Sequence, residues 1–159
     1  MAKSEIVQQP WTATGAEKRS VVQSMFAEIA PIYDRLNGKM SLEQHHRWRA
    51  IAADTLELKP GDAVLDLCCG TGDFASPLRQ RIGPTGAIVE ADFCLPMLEL
   101  AREKDGVKNG PSILAVADAC QLPFASECFD GVAGSNALRG VTCWVKRREP
   151  NPITVSSPQ

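Results

Sequence analysis

Val64-Leu65-Asp66-Leu67-Cys68-Cys69-Gly70-Thr71-Gly72-Asp73 decides the fold of this chain. Ala63 to Leu67 is a short apolar run bounded by a turn, the pattern of a strand buried on both faces. It feeds a glycine loop, and Phe74 to Arg81 then reads as a helix, with Pro77 near its first turn where proline is tolerated. Downstream the rhythm repeats. Gly83-Pro84-Thr85-Gly86 turns the chain, Ala87 to Ala91 is a second strand, and Pro96 to Lys104 is a second helix. A loop from Asp105 to Pro111 leads to a third strand, Ile113 to Ala117. A loop through Leu122-Pro123-Phe124 leads to a fourth, Cys128 to Ala133. Strands alternating with helices predict an α/β fold with a parallel sheet and right-handed crossovers.

Upstream, the chain reads as helical from 20 to 57 after a polar arm over residues 1–18. Ser20 is placed to cap a helix whose apolar face is Val21, Val22, Met25, Phe26 and Ile29, and Pro31 ends it. Ser41, with Gln44 three residues on, has the form of a capping box for a second helix. Its expected buried stripe is Trp48, Ile51, Ala52, Thr55 and Leu56. Lys59-Pro60-Gly61-Asp62 is a turn.

The glycine loop stands at the carboxyl end of the first strand, where open α/β sheets bind ligands. Glycine has no Cβ, so Gly70 and Gly72, with Thr71 between them, let the backbone turn tightly and approach a ligand. Twenty residues after Gly72, at the end of the second strand, Asp92 is placed to accept both hydroxyls of an adenosine ribose. Gly70-x-Gly72-x-x-Ala75 also satisfies the dinucleotide fingerprint, so NAD is an alternative ligand. A tight turn that binds nothing is another. Asp66, four residues before Gly70, favours a cationic ligand over a pyrophosphate, and Asp73 adds negative charge. S-adenosylmethionine, with its ammonium and sulfonium, fits. After the third strand, Asp118 and the N–H of Ala119 are placed to read the adenine edge.

The bulk composition excludes several classes. The chain has 159 residues, 44% hydrophobic and 23% charged, with a net charge of -2. That balance gives no basic surface for nucleic acid. No apolar run approaches the ~20 residues of a membrane span, and Met1 to Pro10 lacks the apolar stretch of a signal peptide. A cytoplasmic protein is the expectation. Six cysteines form no Cys-x-x-Cys pair, and the two histidines are adjacent, so no metal site is predicted. The cysteines read as reduced thiols packed as small apolar groups.

With these motifs on the page, the chain resembles the quinone C-methyltransferases of the ubiquinone, menaquinone and phylloquinone pathways. The resemblance runs from about Val22 to Val141. Met25-Phe26-Ala27-Glu28-Ile29-Ala30-Pro31-Ile32-Tyr33-Asp34 is similar to that family's N-terminal stretch, as are Asn37, Met40-Ser41-Leu42, Gln44-His45 and Trp48. The Leu-Asp-Leu-Cys-Cys-Gly loop looks most like the branch acting on demethylphylloquinone or demethylmenaquinone. The resemblance implies a class I, Rossmann-like methyltransferase fold, a three-layer sandwich with N-terminal helices lidding the site. It implies S-adenosylmethionine as methyl donor and a prenylated quinol at the membrane surface as acceptor. Arg139, in Asn136-Ala137-Leu138-Arg139-Gly140, matches the arginine held to assist deprotonation, although the residues around it depart from the family's pattern. His45 and Tyr33, in the lid, are further acid–base candidates; the plainer reading is that Tyr33 packs and His45 is solvated.

After Val141 the likeness ends. The expectation is a domain over 19–141 holding strands one to four of the sheet, then a disordered tail over 142–159. Strand four would be an open edge, prone to self-association. A truncated or frame-shifted coding sequence accounts for the change at Thr142 and predicts weak or absent catalysis. A non-catalytic remnant, a nucleotide-binding fragment and a methyltransferase of another small molecule are the competing readings.

Overall fold

The structure, a computed structural model, describes residues 15–135 and 143–147. Three helical segments precede the sheet: α1 (Gly15–Ile29), then a single 3-10 turn at Ala30–Ile32, α2 (Tyr33–Ser41) and α3 (Gln44–Thr55). β1 (Ala63–Leu67), α4 (Ala75–Ile82), β2 (Ala87–Asp92), α5 (Leu95–Ala101), the short α6 (Asp105–Lys108), β3 (Ser112–Val116), β4 (Gly131–Ser135) and β5 (Cys143–Arg147) follow. The sheet order is β3-β2-β1-β4-β5. β1, β2, β3 and β4 are parallel, as expected. The chain steps from β1 outward to β3 and then returns to β4 on the other side of β1. The carboxyl ends of β1 and β4 therefore flank the switch point at which such sheets bind ligands.

Val64, Ile88 and Ala133 alternate onto one face of the sheet, where Phe74, Ala75, Leu78 and Ile82 of the glycine loop and α4, Val107 of α6, and Ala53 and Leu56 from the α3 end pack against them. On the other face Leu65, Leu67, Val89, Ala91 and Val132 meet Leu122, Phe124 and Phe129 from the β3–β4 connection. Arg79 of α4 is buried and staples this core. Its guanidinium donates to the carbonyls of Gly83, Gly86, Gly106 and Pro111 and to Ser112 Oγ. The planar fork of donors suits five fixed acceptors better than an ammonium would.

Four expectations are corrected. First, the arm does not reach residue 18: α1 starts at Gly15, so Ser20 is interior rather than a cap. Second, Ser41 ends α2 instead of opening α3. Its Oγ donates to the Asn37 carbonyl, and Leu42 and Glu43 form a left-handed turn, φ 50° and 61°, that resets the helix phase. The stripe turned inward on α3 is therefore His45, Arg49 and Ala53, with Leu56 beyond the helix, while Ile51 faces outward. Third, β4 is not an open edge. β5 pairs with it antiparallel from Gly131↔Arg147 to Ser135↔Cys143, so residues 143–147 are a strand rather than disordered tail. An antiparallel return satisfies the same backbone N–H and C=O groups that a parallel neighbour would. Self-association through a bare β4 edge loses its premise. Fourth, the cysteines divide: Cys69 and Cys94 are buried, while Cys68, Cys120 and Cys128 are exposed free thiols.

Candidate functional site

The glycine loop is built from left-handed backbone. Cys68, Gly70 and Gly72 have φ of 56°, 58° and 76°. At Gly72 a Cβ would stand 2.9 Å from the Ala101 Cβ of α5, so the loop and α5 touch there and only glycine fits. Cys68 takes the same backbone region with a side chain attached, a strained position for an L-residue. Strain of this kind at the rim of a binding loop is a mark of function rather than of packing.

The carboxylate at the end of β2 is held for use. Asp92 Oδ2 accepts from the Gly70 N–H at 2.9 Å, and Oδ1 accepts from the Cys94 N–H at 2.9 Å. Burial raises the Asp92 carboxyl, and the backbone N–H groups of Cys94, Gly70 and Phe93 oppose the rise. Gly70 and Asp92, each expected beside the ligand, are joined directly by this hydrogen bond. Asp118 Oδ1 accepts from the Cys120 N–H, fixing the turn after β3, and Oδ2 pairs with Arg19 of α1 at 3.0 Å. The Cys68 thiol is raised to about 11 by its protein surroundings and by the carboxylates of Asp92, Asp66 and Asp118. Negative charge therefore gathers where the loop opens.

Asp66 lies beneath, fully buried, and faces Glu90 across the β1–β2 register. Neither carboxyl has a nitrogen donor: all four oxygens are buried without one. Desolvation raises Asp66 well above its ordinary range, and Glu90 adds to the rise. Desolvation lifts Glu90 to about 7, against Asp66, Cys69 and Arg79, which pull it down. Two carboxyls this close and this dry hold at least one proton between them. Glu90 was legible as a lone charge in the apolar run Ala87-Ile88-Val89-Glu90-Ala91 but was read only as strand.

The lid closes over the loop from the other side. A Cβ on Gly70 would meet the Tyr33 ring at 3.8 Å, so Tyr33 lies across the loop, packed edge-on against Phe26. Burial raises its phenol above 10, which leaves it a donor and not a base near neutral pH. His45 is buried, not solvated. Its Nδ1 is 2.6 Å from Ser41 Oγ and its Nε2 is 3.8 Å from Asp73 Oδ2, and burial, then His46 and Arg49, lower its pKa. It is a neutral imidazole with both nitrogens facing protein partners. Asp73 is not a free charge either. Lys104 Nζ donates to its Oδ1 at 2.6 Å, and Arg49 stands 3.8 Å from its Oδ2. Burial works against the carboxylate, but Lys104 and Arg49 outweigh it and hold Asp73 below its ordinary range. The charge expected to repel a pyrophosphate is paired inside the protein, and Asp118 is paired with Arg19, so that duty falls to Asp92. Arg49 and Lys104 carry no sign in an apolar period: Arg49 points inward from α3, and Lys104 lies in the bend between α5 and α6. Arg139 lies outside the described residues. Glu43, His45 and His46 bring ligand-type atoms within 4.8 Å of one another, but the His45 nitrogens are engaged as above.

A family model described as the ubiE/COQ5 methyltransferase family matches residues 13–148. The 2-phytyl-1,4-naphtoquinone methyltransferase of Thermosynechococcus vestitus is 42% identical over 121 residues, 76% of this chain and 53% of that protein. The demethylmenaquinone methyltransferase of Staphylococcus aureus is 36% identical over 129 residues, 81% of this chain and 53% of that protein. The chain thus spans about half the length of the curated relatives it matches. A complex between the Haloferax volcanii Trm112 methyltransferase activator and a methyltransferase matches with a TM-score of 0.51 and 24% identity, covering 70% of this chain and 47% of that one. That likeness shows the fold.

Proposed function

Because the chain belongs to the ubiE/COQ5 methyltransferase family, we propose that it binds S-adenosylmethionine at the glycine loop and serves methylation of a ring carbon of a reduced, prenylated quinone precursor. The observation that carries the reading is the set of carboxylates around the loop. Asp92 is fixed by the Gly70 and Cys94 amides, Asp118 is fixed by its turn, and Asp66 is buried without a donor. The Asp92 carboxylate at the mouth of the loop suits a cation and opposes a pyrophosphate, which favours the methyl donor over NAD.

When bound, the donor supplies an electrophilic methyl group: the ring carbon takes the methyl, the carbon–sulfur bond breaks onto sulfur, and the ring gives up a proton. The residues of this chain orient and enclose. Asp92 takes the ribose hydroxyls, Asp118 and the Ala119 N–H read the adenine edge, and Gly70, Thr71 and Gly72 give the methionine portion room. Tyr33 lies across the loop and excludes water. Most of the rate then comes from holding donor and ring in line. His45 is not a proton carrier in this reading, because its nitrogens face Ser41 and Asp73.

The relatives and the lid support this acceptor. Demethylmenaquinone and 2-phytyl-1,4-naphtoquinone are named in the relatives' activities. Ile32 of the 3-10 turn and Leu36 and Met40 of α2 stand exposed at helical spacing, followed by Leu42, with Met40 82% and Leu42 80% exposed. Apolar side chains on the helix that covers the site suit an acceptor whose tail sits in lipid. No described helix is long and apolar enough to cross a membrane, and the exposed apolar side chains of the lid support work at the membrane surface. Methyl transfer from labelled S-adenosylmethionine to demethylmenaquinol, against the tail-less naphthohydroquinone, tests this. Transfer favouring the prenylated acceptor is expected. Binding of the donor with transfer only to an unrelated small molecule would overturn the quinone assignment.

A further inference from the structure

The lid and the glycine loop meet through one charged network that spans the chain. Asp34, at the start of α2, accepts from Thr71 Oγ1 at 2.5 Å with one oxygen and from Lys104 Nζ at 2.6 Å with the other. Lys104, past the end of α5, also donates to Asp73 Oδ1 at 2.6 Å. Asp73 in turn faces His45 and Arg49 of α3 at 3.8 Å. The residues that meet are 31, 37 and 70 positions apart in sequence. Thr71 is nearly fully buried, so its hydroxyl is spent on the lid.

Two features set this apart from a surface ion pair. The Asp73 side chain is only 6% exposed, and Lys104 bridges two carboxylates, each on a different element. Removing the bridge leaves a buried carboxylate short of its nearest cation, which costs far more than losing an exposed contact. The ammonium is held charged: burial opposes it, and Asp34 and Asp73 more than compensate. The geometry also fixes which group orients which. Asp34 touches the loop residue between the two glycines, so shifting α2 shifts the backbone that would lie along a ligand.

Resting on the methyl-donor reading for its ligand, we propose that Asp34 and Lys104 are positioning residues: together they latch the helical lid to the glycine loop, so that lid closure and cofactor affinity are one coupled equilibrium. Neither residue touches the reacting atoms. Each acts through the loop conformation, Asp34 on Thr71 and Lys104 on Asp73. Because Asp34 and Lys104 are partly open to water, added salt screens the latch and loosens it.

The test uses the full chain and two readouts. Amide hydrogen exchange across residues 69–75 and 33–55 is followed in the unaltered protein, Asp34→Asn, Lys104→Met and the double variant, at low and high salt. Asn keeps an acceptor for Thr71 and removes only the charge, so a folded protein is retained. Exchange in the loop is expected to rise about tenfold in either single variant, with the double variant no worse than the singles, as coupled partners require. High salt should loosen the unaltered chain and leave Asp34→Asn unchanged. Titration with S-adenosylmethionine is the second readout, with affinity expected to fall about tenfold in each single variant, again non-additively. Loop exchange equal to that of the unaltered chain in Asp34→Asn, at both salts, would overturn the latch. The exchange arm needs no ligand. A chain that shows the latch but binds no donor would refute the cofactor reading alone.

Discussion

Asp66 and Asp73 are buried carboxylates at the two ends of one eight-residue stretch, and they live in opposite electrical worlds. Asp73 looks toward the lid and meets Lys104, Arg49 and His45. Asp66 looks into the sheet and meets another acid, Glu90. The first is compensated by the protein and does structural work, tying three elements together. The second has no cation, so burial and its acidic neighbour keep it protonated, at a cost in stability whenever it must ionise. Sequence position alone assigned both to the ligand; only the partners separate them.

The largest effect is expected from breaking the compensated side. Arg49→Leu leaves the Asp73 carboxylate buried with Lys104 as its remaining close cation and should cost about 3 kcal/mol. Urea unfolding measures it; a change within the noise of a surface substitution would mean the pair is ornamental.

Relieving the uncompensated side should work the other way. Glu90 sits near 7 against an ordinary 4.5, so its share of stability is full below pH 4.5 and is lost as pH rises to about 7. At 1.4 kcal/mol per unit that is on the order of 3 kcal/mol. Asp73, held below its ordinary range, has the opposite sign: its share is present above pH 3.8 and lost as pH falls through the lowered value. A stability maximum near about pH 4 follows. Glu90→Gln, whose amide can donate to Asp66, should gain about 2 kcal/mol at pH 8 and flatten the alkaline fall. Melting curves from pH 4 to 9 check both; a variant that keeps the alkaline fall would assign it to other groups.

A smaller effect sharpens the contrast between loop and scaffold. Cys68 holds φ of 56° with a side chain attached. Cys68→Gly removes that strain and should add about 1 kcal/mol. Unchanged or lowered stability would mean that the thiol packs more usefully than its exposure suggests.

How much of this was legible divides along the same line. The β1 stretch, Gly70, Gly72 and Asp92 were readable because glycine at positive φ and a carboxylate at a strand end are written in residue type and spacing. The phase of α3 was not, because the left-handed pair Leu42–Glu43 carries no glycine and leaves no sign in the sequence. Arg49 and Lys104 were invisible to any apolar period, since they point inward to meet Asp73. The antiparallel β5 lies past Val141, where the likeness was expected to end, but the family model runs on to residue 148 and covers it.

The central claim is that the carboxylate-lined loop of this chain takes a cationic adenosyl ligand. Calorimetric titration of the full chain with S-adenosylmethionine, with NAD as control and Asp92→Ala as the variant, tests it most directly. Saturable binding of the methyl donor alone, lost in Asp92→Ala, is the predicted result. Binding of NAD in its place, or donor binding untouched by Asp92→Ala, would contradict it.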